Sequence, residues 1–273
     1  MSRSHFSRLF AAFAVLALVL VAAGCGGSDD DSGGGSEGAS KEPLTVGSDI
    51  PYPPFEQGKA PNYEGFDVAL MEAIGENIGR EVEFEDTSFD TIFRDLAQGK
   101  FDSVASATTI TDEREKTVDF TNPYYRSEQA ILVKKGSQID SVEDLKGATV
   151  GVQQGTTGQE FSEEQTEAGE VRPYPQGPDA VAPLRAGTVD AVVIDIPVAE
   201  NAVEAEPGIE ISAAIPTEEE YGFVVKQGET ELLDELNQGL KEAMDDGTYA
   251  QIYEKWFKHE PPKEIFSATH TPS

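Results

Sequence analysis

From Leu44 onward the apolar positions switch repeatedly between two spacings. LTVGS reads as a buried strand, and GFDVALMEAIGENIG follows with Phe66, Ala69, Leu70, Ala73 and Ile74 at helical spacing. VEFEDTS returns to a strand, FDTIFRDLAQG forms a helix ending on Gly99, and DSVASAT is a third strand. The same alternation resumes in AILVKK, SVEDLKG, ATVGVQQ, GQEFSEEQTEAG, DAVAPLRAG and DAVVID, then in IPVAENAVEAE, IEISAA and YGFVVK. The end, TELLDELNQGLKEAMDDGTYAQIYEKWFK, carries Leu232, Leu236, Leu240 and Ala243 on one helical face. A break at DDG separates it from a second helix led by Tyr249, Ile252 and Trp256. Alternation of this kind predicts an α/β chain with mostly parallel sheets flanked by helices. The chain changes character near KKGS and again at the acid run TEEE before Tyr221, which points to a middle segment inserted as a second lobe. PPKEIFSATHTPS, residues 261–273, is expected to hang free.

The first residues have another purpose. MSRSHFSRLF supplies Arg3 and Arg8, and AAFAVLALVLVAA is apolar but short for a spanning helix, so residues 1–24 read as a secretory signal. VAAGC resembles a bacterial lipobox, with Ala22 where that pattern prefers leucine, and the resemblance makes Cys25 a lipidation site anchoring the chain to a membrane. Residues 25–43 follow as a Gly/Ser/Asp stretch too poor in apolar residues to order itself, and read as a flexible tether. Within it GGSEG matches the GxSxG nucleophile pattern, but without the strand and helix that motif needs, Ser36 is no nucleophile.

Charge narrows the partners. The chain has 20 Lys and Arg against 51 Asp and Glu, a formal net charge of -31, which works against nucleic acid and anionic lipid as binding partners. Removal of the signal takes two arginines and no acid, leaving 18 basic residues, a formal -33 and no cysteine for a disulfide once Cys25 is acylated. His5, His259 and His270 all lie outside the body from Leu44 to Trp256, which removes Ser-His and Cys-His catalysis and thiolate or imidazole zinc sites. No DxDxDG calcium loop is present, and no metal or cofactor is expected.

Two stretches carry chemistry. GVQQGTTG, Gly151 to Gly158, joins a strand to a helix without the lysine of a phosphate loop. Its backbone amides either hold a carboxylate or form a tight turn with no ligand. In SATTITDEREKTVDFTNPYY, Arg114 follows Thr108, Thr109 and Thr111 at a strand end, where parallel sheets bind polar ligands. Taken alone, Arg114 reads as a solvated charge on a short helix; beside those hydroxyls its guanidinium can grip a carboxylate with two parallel hydrogen bonds.

TITDER and VDFTNPYY, with DIPYPPFE and GFDVAL before them and GVQQGTTG, LRAGTVDAVVID, YGFVVK and DGTYAQIYEKWF after them, resemble the polar amino-acid solute-binding proteins of bacterial ABC importers, family 3. The resemblance spans about Leu44 to Lys258. It implies the two-lobe periplasmic-binding-protein fold, with one lobe of residues 44–129 and 219–260, another of 130–218, two hinge strands, and a ligand in the cleft. It further implies that Arg114 holds the ligand α-carboxylate with the backbone N–H groups of Thr109 and Thr157. Asp195 would neutralise the α-ammonium together with the Thr109 hydroxyl and the Ala107 carbonyl. Tyr52 and Phe89 would sandwich the side chain, while Asp49, Gln153 and a second acid, Glu56, would meet its tip, favouring a basic amino acid or glutamine. Ala107 and Gly158 depart from the polar residues of many relatives. The implied partners are importer permease subunits and the membrane through Cys25, with the chain a monomer and not an enzyme. Two alternatives share the fold: a secreted cyclohexadienyl dehydratase-like enzyme, for whose diacid substrate a single arginine is poorly suited, and an amino-acid sensor module.

Overall fold

The computed structural model describes residues 41–271; the signal segment, Cys25 and nearly all of the tether lie outside the described residues. Strand β1 (Leu44–Ser48) leads through the short hairpin β2 (Gln57–Lys59) and β3 (Asn62–Glu64) to helix α1 (Phe66–Ile78). Then come β4 (Val82–Asp86), α2 (Phe89–Ala97), β5 (Ser103–Val104), α3 (Asp112–Glu115), β6 (Val118–Phe120) and the long β7 (Tyr125–Lys134). The middle of the chain supplies β8 (Thr149–Gln153), α4 (Thr157–Glu164), β9 (Glu170–Tyr174), α5 (Val181–Ala186), β10 (Ala191–Asp195), α6 (Ile196–Ala205) and the long β11 (Ile209–Tyr221). The chain closes with β12 (Val224–Lys226), α7 (Thr230–Asp245) and α8 (Thr248–Phe257).

These strands form two five-stranded sheets, one per lobe. The first has the order β4-β1-β5-β12-β6, with β1 parallel to its neighbours and β12 antiparallel. The second has the order β11-β7-β10-β8-β9, where β10, β8 and β9 run parallel and β7 is antiparallel to both neighbours. The mixed sheets follow from the chain crossing between lobes twice, on β7 and on β11, so a late strand must re-enter the first sheet against the direction of the early ones.

Those two crossings pair with each other, from Tyr125 opposite Tyr221 to Lys134 opposite Ile209. The register shifts between Ile215 and Glu219, and Glu218 takes a φ of +51°, a left-handed conformation that non-glycine residues seldom adopt. On the first-lobe side the crossings are held by aromatic packing: the rings of Tyr125 and Tyr221 stack 5.5 Å apart and Tyr124 stacks on Phe223 at 4.1 Å. The last two helices cover α1. Gly239 sits in the middle of α7 because a Cβ there would lie 2.9 Å from Ile74 Cγ2 on α1, so only glycine lets the helices cross this closely.

The free tail expected after residue 260 is corrected by the structure. Lys263–Ser267 forms a 3-10 turn, Ile265 is fully buried against the first lobe, and the Phe266 ring lies edge-on to Tyr249. Further on, His270 donates its backbone N–H to Asn122 Oδ1 and its Nε2 lies 2.7 Å from Glu115 Oε1. A polar segment with so few apolar residues is a weak signal for order, yet Ile265 docks in the core while Phe266 stays partly exposed. Ile265→Ala is expected to lower stability by about 2–4 kcal/mol, read from urea midpoints; a change below about 0.5 kcal/mol would mean the tail is not part of the core.

Candidate functional site

The loops that follow β1 and β5 in one lobe face the ends of β8 and β10 in the other, as parallel strands present their carboxyl ends to a common crevice. There Asp49, Tyr52, Phe89, Ala107, Thr109, Arg114, Gln153, Thr157 and Asp195 line one small cavity, joined by Ser106 and Thr156. All nine positions singled out from the sequence therefore meet in space, although they span 147 residues of chain.

Local structure fixes each group. The Thr111 hydroxyl accepts from the Arg114 backbone N–H and caps α3, which turns the arginine back towards its own strand end. Arg114 Nη1 then donates to the Thr109 carbonyl at 2.7 Å, and Nη2 reaches the Gly155 carbonyl of the other lobe at 3.3 Å. Its guanidinium lies over the rings of Phe89 and Phe93, 5.3 and 5.2 Å from their centres. Across the cleft Thr156 caps α4, whose first backbone N–H groups, Thr157 among them, have no partner within the helix. Ala107 adopts a φ of +43° and donates its N–H to Asp67 Oδ2 at 2.8 Å, a bent loop that lines the cavity wall.

Direct hydrogen bonds close the cleft. Tyr52 donates from the first lobe to Asp195 Oδ2 of the second at 2.6 Å, and Gln153 Nε2 donates back to Asp49 Oδ2 at 2.5 Å. Gln176 Nε2 adds a bond to the Ile50 carbonyl at 2.9 Å. About 20 Å³ of cavity remains between them, the room of a single water molecule, so a solute enters only when the lobes part.

Glu56, expected at the ligand tip, does not face the cavity; it is fully buried behind it, where its Oε1 accepts from the Ser106 hydroxyl. Two polar residues of the site lie outside the sequence expectation. Gln129 and Glu219 come from the crossing strands and reach the site from below: Gln129 Nε2 donates to both Asp195 Oδ1 and Glu219 Oε1. Gly158 makes room for this, since a Cβ would stand 2.9 Å from Gln129 Oε1 and 3.3 Å from the Val193 carbonyl.

The buried charge is lopsided. Asp49, Glu56, Asp67, Asp195 and Glu219 are all buried in or behind the cleft, with Arg114 the one cation lining it among the described residues. Burial pushes the Asp49 carboxyl up to about 7 against the bond from Gln153, and Asp67 up to about 7 as well. Asp195 rises to about 7 through burial and then the nearby Glu219 charge. Burial lowers Arg114 to about 10, opposed by Glu219 and Asp195. Carboxyls raised above their unfolded values hold protons longer in the folded chain, so their contribution is present below about pH 4 and is lost as pH rises through about 7. Urea midpoints are therefore expected to fall steadily from pH 5 to pH 8, and a rise over that range would contradict the shifts.

The model of the bacterial extracellular solute-binding proteins, family 3, matches residues 44–259. A protein from Escherichia coli strain K12, described as putative ABC transporter arginine-binding protein 2, is 35% identical over 223 residues, covering 80% of this chain and 91% of its own length. Among solved structures, an ancestral arginine-binding protein bound to arginine is 41% identical with a TM-score of 0.76, covering 80% of this chain and 100% of that one. The ancestral protein bound to glutamine is 42% identical with a TM-score of 0.76, covering 79% and 98%.

Proposed function

Because the chain belongs to the bacterial extracellular solute-binding proteins, family 3, we propose that it binds a cationic L-amino acid between its lobes and hands it to an ABC importer. The observation that carries this reading is the charge count of the cleft: one guanidinium, Arg114, among carboxylates that include Asp195 and Asp49. An amino acid with a basic side chain brings the complement, one carboxylate and two cations. In this reading Arg114 and the N–H groups of Thr109 and Thr157 take the α-carboxylate. Asp195, the Thr109 hydroxyl and the Ala107 carbonyl take the α-ammonium. Phe89 and Tyr52 enclose the aliphatic stem, and Asp49 with Gln153 meets the tip. Glutamine is the second reading, favoured because Asp49 already accepts from an amide nitrogen, that of Gln153.

The chain acts as a receptor rather than an enzyme: a diacid substrate such as a dehydratase would take meets one arginine against five buried acids. Residues 1–24 serve as a signal, Cys25 as the lipid anchor and 25–43 as the tether, with the chain a monomer outside the cytoplasm that meets permease subunits at the membrane. Closure of the lobe formed by 44–129 and 219–260 onto 130–218 is what the importer would read.

Thermal melts of the refolded chain with each of the twenty amino acids, and with prephenate, test this. Arginine and lysine are expected to raise the melting temperature most, by several degrees at about a hundred times the dissociation constant, where stabilisation is about 2.7 kcal/mol. A shift with prephenate alone would support the enzyme, and no shift with any amino acid would overturn the reading.

A further inference from the structure

Glu219 is buried where β11 shifts register, and its carboxylate gathers donors from both lobes and from the other crossing strand, β7. Oε2 accepts from the Thr109 hydroxyl of the first lobe at 2.6 Å and from the Thr157 hydroxyl of the second at 3.2 Å. Oε1 accepts from Gln129 Nε2 at 2.9 Å, and the same amide also donates to Asp195 Oδ1. A hydroxyl has one proton to give, so when it gives that proton to a carboxylate, only lone pairs are left for anything else. Thr109 lines the cleft, and what its hydroxyl offers the cleft is then an acceptor.

An acceptor oxygen close to the Asp195 carboxylate suits a group that brings several N–H donors and a positive charge, and it repels a carboxylate. Gln129 completes the arrangement, because its two amide protons hold Asp195 and Glu219 side by side despite their like charge. Gln129 is itself fixed from the second lobe, where Gly158 leaves it space.

We propose that Glu219, acting with Gln129, is a positioning residue that sets the polarity of the clamp: it turns the threonine hydroxyls into acceptors and holds Asp195, so that the cleft selects a ligand with a free α-ammonium group. The proposal rests on the amino-acid reading above. A role confined to tying the lobes together would weaken every ligand alike, whereas a role in polarity weakens those with an ammonium group most.

Calorimetric titration of the full chain with L-arginine and with 2-hydroxy-5-guanidinopentanoate, which carries a hydroxyl in place of the α-ammonium, separates the two. If the amino-acid panel ranks another ligand first, the pair becomes that amino acid and its α-hydroxy analogue. Glu219→Gln is expected to weaken the amino acid about 10- to 30-fold and the hydroxy acid by no more than about threefold, so their affinity ratio shrinks about tenfold. Gln129→Met, which keeps the volume but removes the bridging amide, is expected to move the ratio the same way by less, and it carries the test if Glu219→Gln does not fold. Equal losses for both ligands, or an unchanged ratio, would overturn the proposal while leaving amino-acid binding intact. Absence of binding by the unaltered chain to any amino acid would overturn both.

Discussion

Replacing Arg114 with methionine is expected to weaken ligand binding about 10²- to 10⁴-fold, the largest loss from any single side chain. Two hydrogen bonds to a charged partner are worth about 1.5–3 kcal/mol each, and among the described residues no other cation lines the cleft to replace them. The change also removes the guanidinium from over Phe89 and Phe93 and its bonds to the Thr109 and Gly155 carbonyls. Methionine keeps enough apolar length to cover the two rings, so folding is expected to survive. Arg114→Lys retains the charge but not the planar fork, and is expected to recover only part of the affinity. Equilibrium dialysis with radiolabelled arginine reads both variants, and an affinity within about threefold of the unaltered chain for Arg114→Met would remove the arginine from the site.

Asp195→Asn separates binding from stability. Loss of the ammonium counter-charge is expected to weaken binding by about 2–3 kcal/mol, or about 30- to 150-fold. The same change is expected to make the chain without ligand more stable at pH 8, by about 1–2 kcal/mol, because a buried carboxylate beside Glu219 is replaced by a neutral amide of equal size. Asp195 titrates at about 7 in the folded chain and lower in the unfolded one, so the gain should shrink as pH falls from 8 and vanish near pH 4. Melting curves across that range check the sign. A variant less stable than the parent at pH 8 would show that the bonds from Tyr52 and Gln129 outweigh the cost of the buried charge.

Much of this is legible in the sequence. Strand and helix periods named the elements, and motif residues such as Arg114, Asp195 and Tyr52 converge on one cavity. Glu219 was hidden because TEEE reads as a solvated acid run, and composition outweighed alternation. The signal was there: Ile215, Thr217, Glu219 and Tyr221 share one face of a strand, as do Tyr125, Ser127 and Gln129 on its partner. What the alternation could not supply is the turn at Glu218, whose left-handed backbone accompanies the register shift beside Glu219. Glu56 failed for the opposite reason. It lies close in sequence to Asp49 and Tyr52, yet the loop folds it behind Ser106 rather than into the cleft, a matter of tertiary packing that no local pattern records.

The central claim is that the cleft binds an amino acid by its charge complement, and calorimetric titration at pH 8 with L-arginine, L-glutamine and L-glutamate tests it most directly. Arginine is expected to bind with the highest affinity, glutamine more weakly and glutamate not measurably, since its second carboxylate would meet Asp49. Glutamate binding as tightly as arginine, or heat from none of the three, would contradict it.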